Sequence, residues 1–114
     1  MEYLLLIYAD EKGQAAMDEP TWTAEVAKCL RFGEEHAEHI KGANSLQPTT
    51  AATTVRVRNG KRLTTDGPFA ETKEQLAGYY LVEAANLDEA IVLAEKNPIA
   101  SHGSIEVRPI RKLK

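Results

Sequence analysis

Tyr3-Leu4-Leu5-Leu6-Ile7-Tyr8 is an unbroken apolar run near the start of the chain. A half-buried strand alternates apolar with polar, so an unbroken short run reads as a strand covered on both faces. Leu76 to Ala85 has the same character: Leu76, Tyr80, Val82 and Ala84 alternate with Ala77, Tyr79 and Leu81. These two segments are expected at the centre of one sheet, and the rest of the chain is read outward from them.

After the first strand, Asp10 to Asp18 reads as a polar loop. A helix follows, with Trp22, Val26, Cys29, Leu30, Gly33, Ala37 and Ile40 at spacings of three and four. Pro20 suits its first turn and Gly42 its C-terminal stop. A short strand is expected near Ser45-Leu46-Gln47, ending at Pro48. Thr53 to Thr65 reads as a hairpin around Asn59-Gly60. A two-residue turn there would mix polar and apolar partners on both faces. A three-residue loop, Arg58-Asn59-Gly60, pairs Val55 with Leu63 and Thr53 with Thr65, so matched faces favour the longer loop. Asp66 to Glu74 is a loop. Asn86 and Glu89 resemble a capping box opening a second helix, whose stripe is Leu87, Ala90, Ile91 and Ala94 and which stops at Asn97-Pro98. Ile105 and Val107 alternate with Glu106 and Arg108 in a last strand, where Pro109 marks an edge.

The order is β-α-β, hairpin, β-α-β. Without the hairpin this is the split β-α-β of ferredoxin-like α+β folds, in which the first and third core strands are central. Two helices cover one face of such an antiparallel sheet. The other face keeps large side chains from Tyr3–Tyr8 and Leu76–Ala85, more contiguous apolar surface than a monomer exposes. A second copy of the chain is the expected cover, which makes the protein a homodimer.

The 114 residues suit a single domain, residues 1–114, with a core of its own. Apolar residues are 43% and charged residues 27%, which is a globular composition. Cys29 is the sole cysteine, so no internal disulfide forms. There is no basic, apolar leader and no run long enough to span a bilayer, so a soluble cytoplasmic protein without membrane contact is expected. A net charge of −3 argues against nucleic-acid binding. The basic clusters at Arg56, Arg58, Lys61 and Arg62 and at Arg108, Arg111, Lys112 and Lys114 lack the aromatic residues that stack bases.

Chemistry concentrates in Thr65-Asp66-Gly67-Pro68-Phe69-Ala70-Glu71-Thr72-Lys73-Glu74. Gly67-Pro68 forces a tight loop, Phe69 is expected to dock into a core or pocket wall, and charges of both signs sit close enough to tune one another. This loop, with Glu106-Val107-Arg108-Pro109, resembles the DGPF-domain proteins, a branch of the YCII-related family, and the likeness spans essentially the whole chain. The resemblance implies a dimeric α/β barrel. In the wider family a His on the first helix and an Asp of an Asp-Pro pair after the second helix are proposed as an acid–base dyad. Here that pair reads Asn97-Pro98, and no His lies near the start of the first helix, so the dyad does not carry over. Asp66 is then the preferred acid or base.

His102 is its candidate catalytic partner if both loops lie at one end of the sheet; otherwise it is a loop residue. Phe69, Lys73, Tyr79, Tyr80 and Arg108 are candidate ligand-binding residues, with Tyr79 and Tyr80 split between the two sheet faces. Arg108 either pairs with Glu106 or holds a carboxylate ligand. His36 and His39 stand three apart on the first helix, but a solvated helix end is the better reading and no metal is expected. Cys29 reads as packing. No cofactor motif appears.

Two functions fit this reading. One is a small-molecule binder or cofactor-independent acid–base enzyme, of isomerase, lyase or hydrolase type, with its pocket at the dimer sheet. The other is an accessory module. DGPF-domain genes often neighbour or fuse to extracytoplasmic-function sigma factors, so the resemblance implies a sigma factor as a possible partner.

Overall fold

The computed structural model describes residues Met1–Lys114 as an α+β arrangement. β1 (Glu2–Ala9), β2 (Ile40–Ser45), β5 (Gln75–Glu83) and β6 (Ser104–Pro109) form an antiparallel four-stranded sheet in the order β2-β5-β1-β6. β3 (Thr53–Arg58) and β4 (Lys61–Asp66) form a separate two-stranded ribbon. The helices are α1 (Glu11–Ala15), α2 (Glu19–Glu35) and α3 (Leu87–Lys96), with single 3₁₀ turns at Thr49–Ala51 and Pro98–Ser101. The two apolar runs are the two central strands, and β6 with Pro109 is an edge.

The faces of the central strands differ. Tyr3, Leu5, Ile7 and Ala9 are buried, while Leu4, Leu6 and Tyr8 are half-buried. The register sets Tyr3 opposite Val82 and Leu5 opposite Tyr80 on one face, and Leu4 opposite Leu81 and Leu6 opposite Tyr79 on the other. Ala90, Leu93 and Ala94 of α3 join Tyr3, Leu5, Ile7 and Val82 in one core. Burying each of the larger members contributes about 1.5–3 kcal/mol. Phe32 of α2 meets the Tyr80 ring at 5.2 Å between centroids. The opposite face presents Leu4, Leu6, Tyr79 and Leu81, bordered by Glu106 and Arg108 on β6.

Local chemistry explains the helix boundaries. Asp18 caps α2 by accepting from Thr21 N at 2.8 Å, and Pro20 sits in the first turn. Asn86 caps α3 by accepting from Glu89 N, and Glu89 reaches back to Ala85 N at 3.1 Å. Asn97 ends α3.

Several expectations are corrected. The Asp10–Asp18 segment contains the short helix α1, capped by Asp10. The first long helix stops at Glu35, and Ile40 and Gly42 belong to β2 rather than to the helix and its stop. Its inward residues are Cys29, Phe32 and His36, with Glu25 beside them, whereas Trp22, Val26 and Leu30 are exposed. The hairpin turn is two residues long: Arg58 pairs with Lys61, Val57 with Arg62 and Val55 with Thr64. Asn59 and Gly60 both have positive φ, 53° and 74°, the conformation whose twist matches paired strands. Matched faces had no force here because neither face of this ribbon enters the core: of its strand residues only Thr54 is not exposed.

Candidate functional site

α2 anchors to the sheet through Phe32. Between its N-terminal half and strands β2 and β5 lies an open cavity of about 320 Å³. Ligand pockets begin near this size, from about 300 Å³. Its walls are mostly apolar, including Ile7, Trp22, Val26, Cys29 and Ile99, and its polar side chains include Glu25 and His102.

Glu25 and His102 meet here. Glu25 Oε2 lies 3.9 Å from His102 Nε2, and Glu25 Oε1 lies 3.4 Å from Lys28 Nζ. Glu25 is the better buried partner, its side chain 21% exposed against 43% for His102. Ser101 Oγ is 3.3 Å from His102 Nδ1 and donates to the Pro98 carbonyl at 3.1 Å. An imidazolium here has an acceptor facing each ring N–H, Glu25 on one side and Ser101 Oγ on the other. The neutral ring keeps one of the two. At 3.9 Å the two do not hydrogen-bond, but a carboxylate facing an imidazole at the wall of an apolar cavity has the placement of an acid–base pair, one small side-chain movement from contact.

Cys29 and Tyr80 line the same cavity. Burial pushes the Cys29 thiol above its ordinary range, and the charge of Glu25 adds to this. Such a thiol is a packing group rather than a thiolate nucleophile. Burial also raises the Tyr80 phenol, with Cys29 adding and the Asn97 amide opposing. Tyr80 therefore stays a neutral hydroxyl. Asn97 is buried, and its Oδ1 accepts from Ile99 N at 3.0 Å, capping the 3₁₀ turn that carries the chain to His102.

The other residues singled out in the sequence are dispersed. Asp66 ends β4 opposite Thr53, exposed, with no hydrogen bond or ion pair to its carboxylate. The 67–74 loop does return to the His102 end of the sheet, where Ser104 Oγ donates to Glu74 Oε1 at 2.7 Å. Phe69 is 79% exposed and docks into no wall, contrary to expectation. Lys73 is exposed. Tyr80 faces the helices, while Tyr79 lies on the opposite face, where its hydroxyl accepts from Asn44 Nδ2 at 2.8 Å. Arg108 is also on that face, paired with Glu106. His36 follows the end of α2 and packs its ring against Phe32 at 4.8 Å, and His39 Nδ1 is 3.0 Å from the Glu83 carbonyl. Glu25 was not singled out in the sequence. Its signal was a carboxylate placed between Trp22 and Cys29, inside an apolar helical stripe.

A family model described as the YCII-related domain matches residues 1–114. An uncharacterised protein of Rhizobium meliloti (strain 1021), R00369, is 40% identical, and the match covers 96% of this chain and 92% of that one.

Proposed function

This chain belongs to the YCII-related family, and from that premise we propose that it is a cofactor-independent acid–base site for a small molecule, seated in the cavity between α2 and β2. The observation that carries this reading is the Glu25–His102 pair at the cavity wall. The apolar lining would hold the body of the ligand. Glu25 would accept or orient a proton, and His102 would relay it, held from behind by Ser101. Tyr80 supplies a neutral hydrogen-bonding group. Substrates that need only proton movement, such as enolisable carbonyl compounds or small cyclic compounds, suit this set.

The strand order β2-β5-β1-β6 supports a ferredoxin-like domain, and the Asp66-Gly67-Pro68-Phe69 loop supports the DGPF branch. The Leu4, Leu6, Tyr79 and Leu81 face would pair with a second copy to make a dimeric α/β barrel. An apolar centre with the Glu106–Arg108 pair at its border has the composition of such an interface. Asp66 would act at the end of the sheet in this reading, apart from the proton pair.

Native mass spectrometry of the purified protein tests the site. A small molecule retained by the wild type should be lost in Glu25→Gln and in Cys29→Trp, which fills the cavity. Retention unchanged in both variants would place the ligand elsewhere and remove this reading.

A further inference from the structure

The β3–β4 ribbon stands apart from the body of its own chain. No hydrogen bond joins residues 53–66 to the four-stranded sheet. The radius of gyration, 16.0 Å, exceeds the roughly 13 Å of a compact domain this size, as a projecting arm requires. Val55 and Val57 are 59% and 60% exposed and share one face with Arg62 and Thr64. A two-stranded ribbon left alone in water is marginally stable. Its apolar face needs a cover that the chain does not supply to itself.

The charges say what kind of cover fits. Residues 53–66 carry Arg56, Arg58, Lys61 and Arg62 against Asp66, three positive charges net on a chain whose total is −3, so the remainder carries six negative charges net. The best complement on that remainder is α2. Asp18, Trp22, Val26, Leu30 and Glu34 follow one another at intervals of four, a single row along the helix with an acid at each end. Trp22, Val26 and Leu30 are exposed, and they flank the cavity. Residues 18–38 hold six acidic side chains against Lys28 and Arg31. The Val55–Val57 face, on which Arg62 is the one basic side chain while Arg56, Arg58 and Lys61 lie on the other face, matches an apolar row closed by acids.

We propose that two copies of this chain exchange arms, each seating Val55 and Val57 on the Trp22–Val26–Leu30 row of the other, with Arg62 beside Glu34 and the arm lying over the mouth of the α2 cavity. Six-residue strands reach about 20 Å, twice the roughly 10 Å between packed sheets, so an arm can pass a facing sheet edge to the outer helix layer. The exchange is two-fold symmetric and closes on itself, so no chain of contacts propagates. A site between α2 and β2 then has one wall from each copy. The docking rests on the pairing of two copies and does not require a ligand.

Trp22, the sole tryptophan, reports the contact directly. The full-length protein is followed by light scattering and by acrylamide quenching of Trp22 across a dilution series. The dimer should shield Trp22, with quenching at least halved relative to the diluted monomer. Val57→Asp, at a position exposed within its own chain, should leave far-UV dichroism intact and abolish the shielding. Arg62→Glu and Glu34→Arg should each weaken the shielded dimer, and the double variant should restore it. A dimer in which Trp22 stays as quenchable as in the monomer overturns the proposal. So does shielding that survives Val57→Asp, or a double variant no better than either single one. A chain that remains monomeric with Trp22 exposed gives the arm to a different macromolecule and overturns it as well.

Discussion

Glu25 Oε2 stands 3.9 Å from His102 Nε2, which ties the first long helix to the loop ahead of the last strand at the wall of the α2 cavity. The pair is part-exposed, and pairs of that kind contribute about 1 kcal/mol or less. Glu25→Gln should therefore melt within a few degrees of the wild type. It should also lose any molecule the wild type retains. A large fall in melting temperature would make the pair a structural clamp instead.

Cys29 should react slowly with thiol reagents at neutral pH. Its thiol is held above the ordinary range first by burial and then by Glu25, so the reactive thiolate forms only under more alkaline conditions. Glu25→Gln removes the second cause and leaves the first. The alkylation profile should move to lower pH while staying above that of an exposed cysteine. Fast alkylation of the wild type at neutral pH would contradict this environment.

Leu5 and Leu6 are neighbours that face opposite sides of the sheet. Leu5 is fully buried under the helices, and Leu6 lies half-exposed on the helix-free face. Leu5→Asp should unfold the chain, since an unpaired buried charge costs several kcal/mol (about 3–5). Leu6→Asp should leave a folded chain that light scattering finds monomeric. A dimeric Leu6→Asp variant would show that this face is not the interface.

Gly103→Ala should be costly. A Cβ at Gly103 would collide with the Tyr8 carbonyl oxygen and with Ile99 Cγ2, and the first of these is backbone that cannot swing aside. Overpacking of this kind costs about 1–3 kcal/mol. At about 4–8 °C per kcal/mol the fall is measurable by calorimetry. A variant with wild-type melting would mean that the 98–103 turn relaxes freely, and with it the placement of His102.

Asp66→Asn should leave the melting temperature unchanged, because no group of the chain bonds the Asp66 carboxylate. A change in ligand response without a change in stability would support a functional role for this loop. A clear drop in melting temperature would assign it to holding the turn.

Much of this fold follows from local pattern. The runs Tyr3–Tyr8 and Leu76–Ala85 identify the two central strands because strands at the middle of a sheet meet packed layers on both faces, whereas edge strands leave one face open to polar residues. Asn86 and Glu89 mark the start of α3, and Asn97-Pro98 its end, through caps made by residues adjacent in sequence. Those are short-range matters of hydrogen bonding and backbone restriction, so the chain carries them in readable form. Three things were decided elsewhere. The hairpin took the two-residue Asn59-Gly60 turn because turn twist sets register when no core sorts its faces. The broad stripe of α2 allowed several inward faces. Packing of Phe32 on Tyr80 selected one, leaving Trp22, Val26 and Leu30 outside. The Glu25–His102 pair joins residues far apart in the chain, and only the closing of the sheet brings helix α2 and the loop ahead of β6 together. Spacing along a sequence reports neighbours on one element, whereas an approach between elements depends on how the whole core packs, and that is why the pair was legible only in three dimensions.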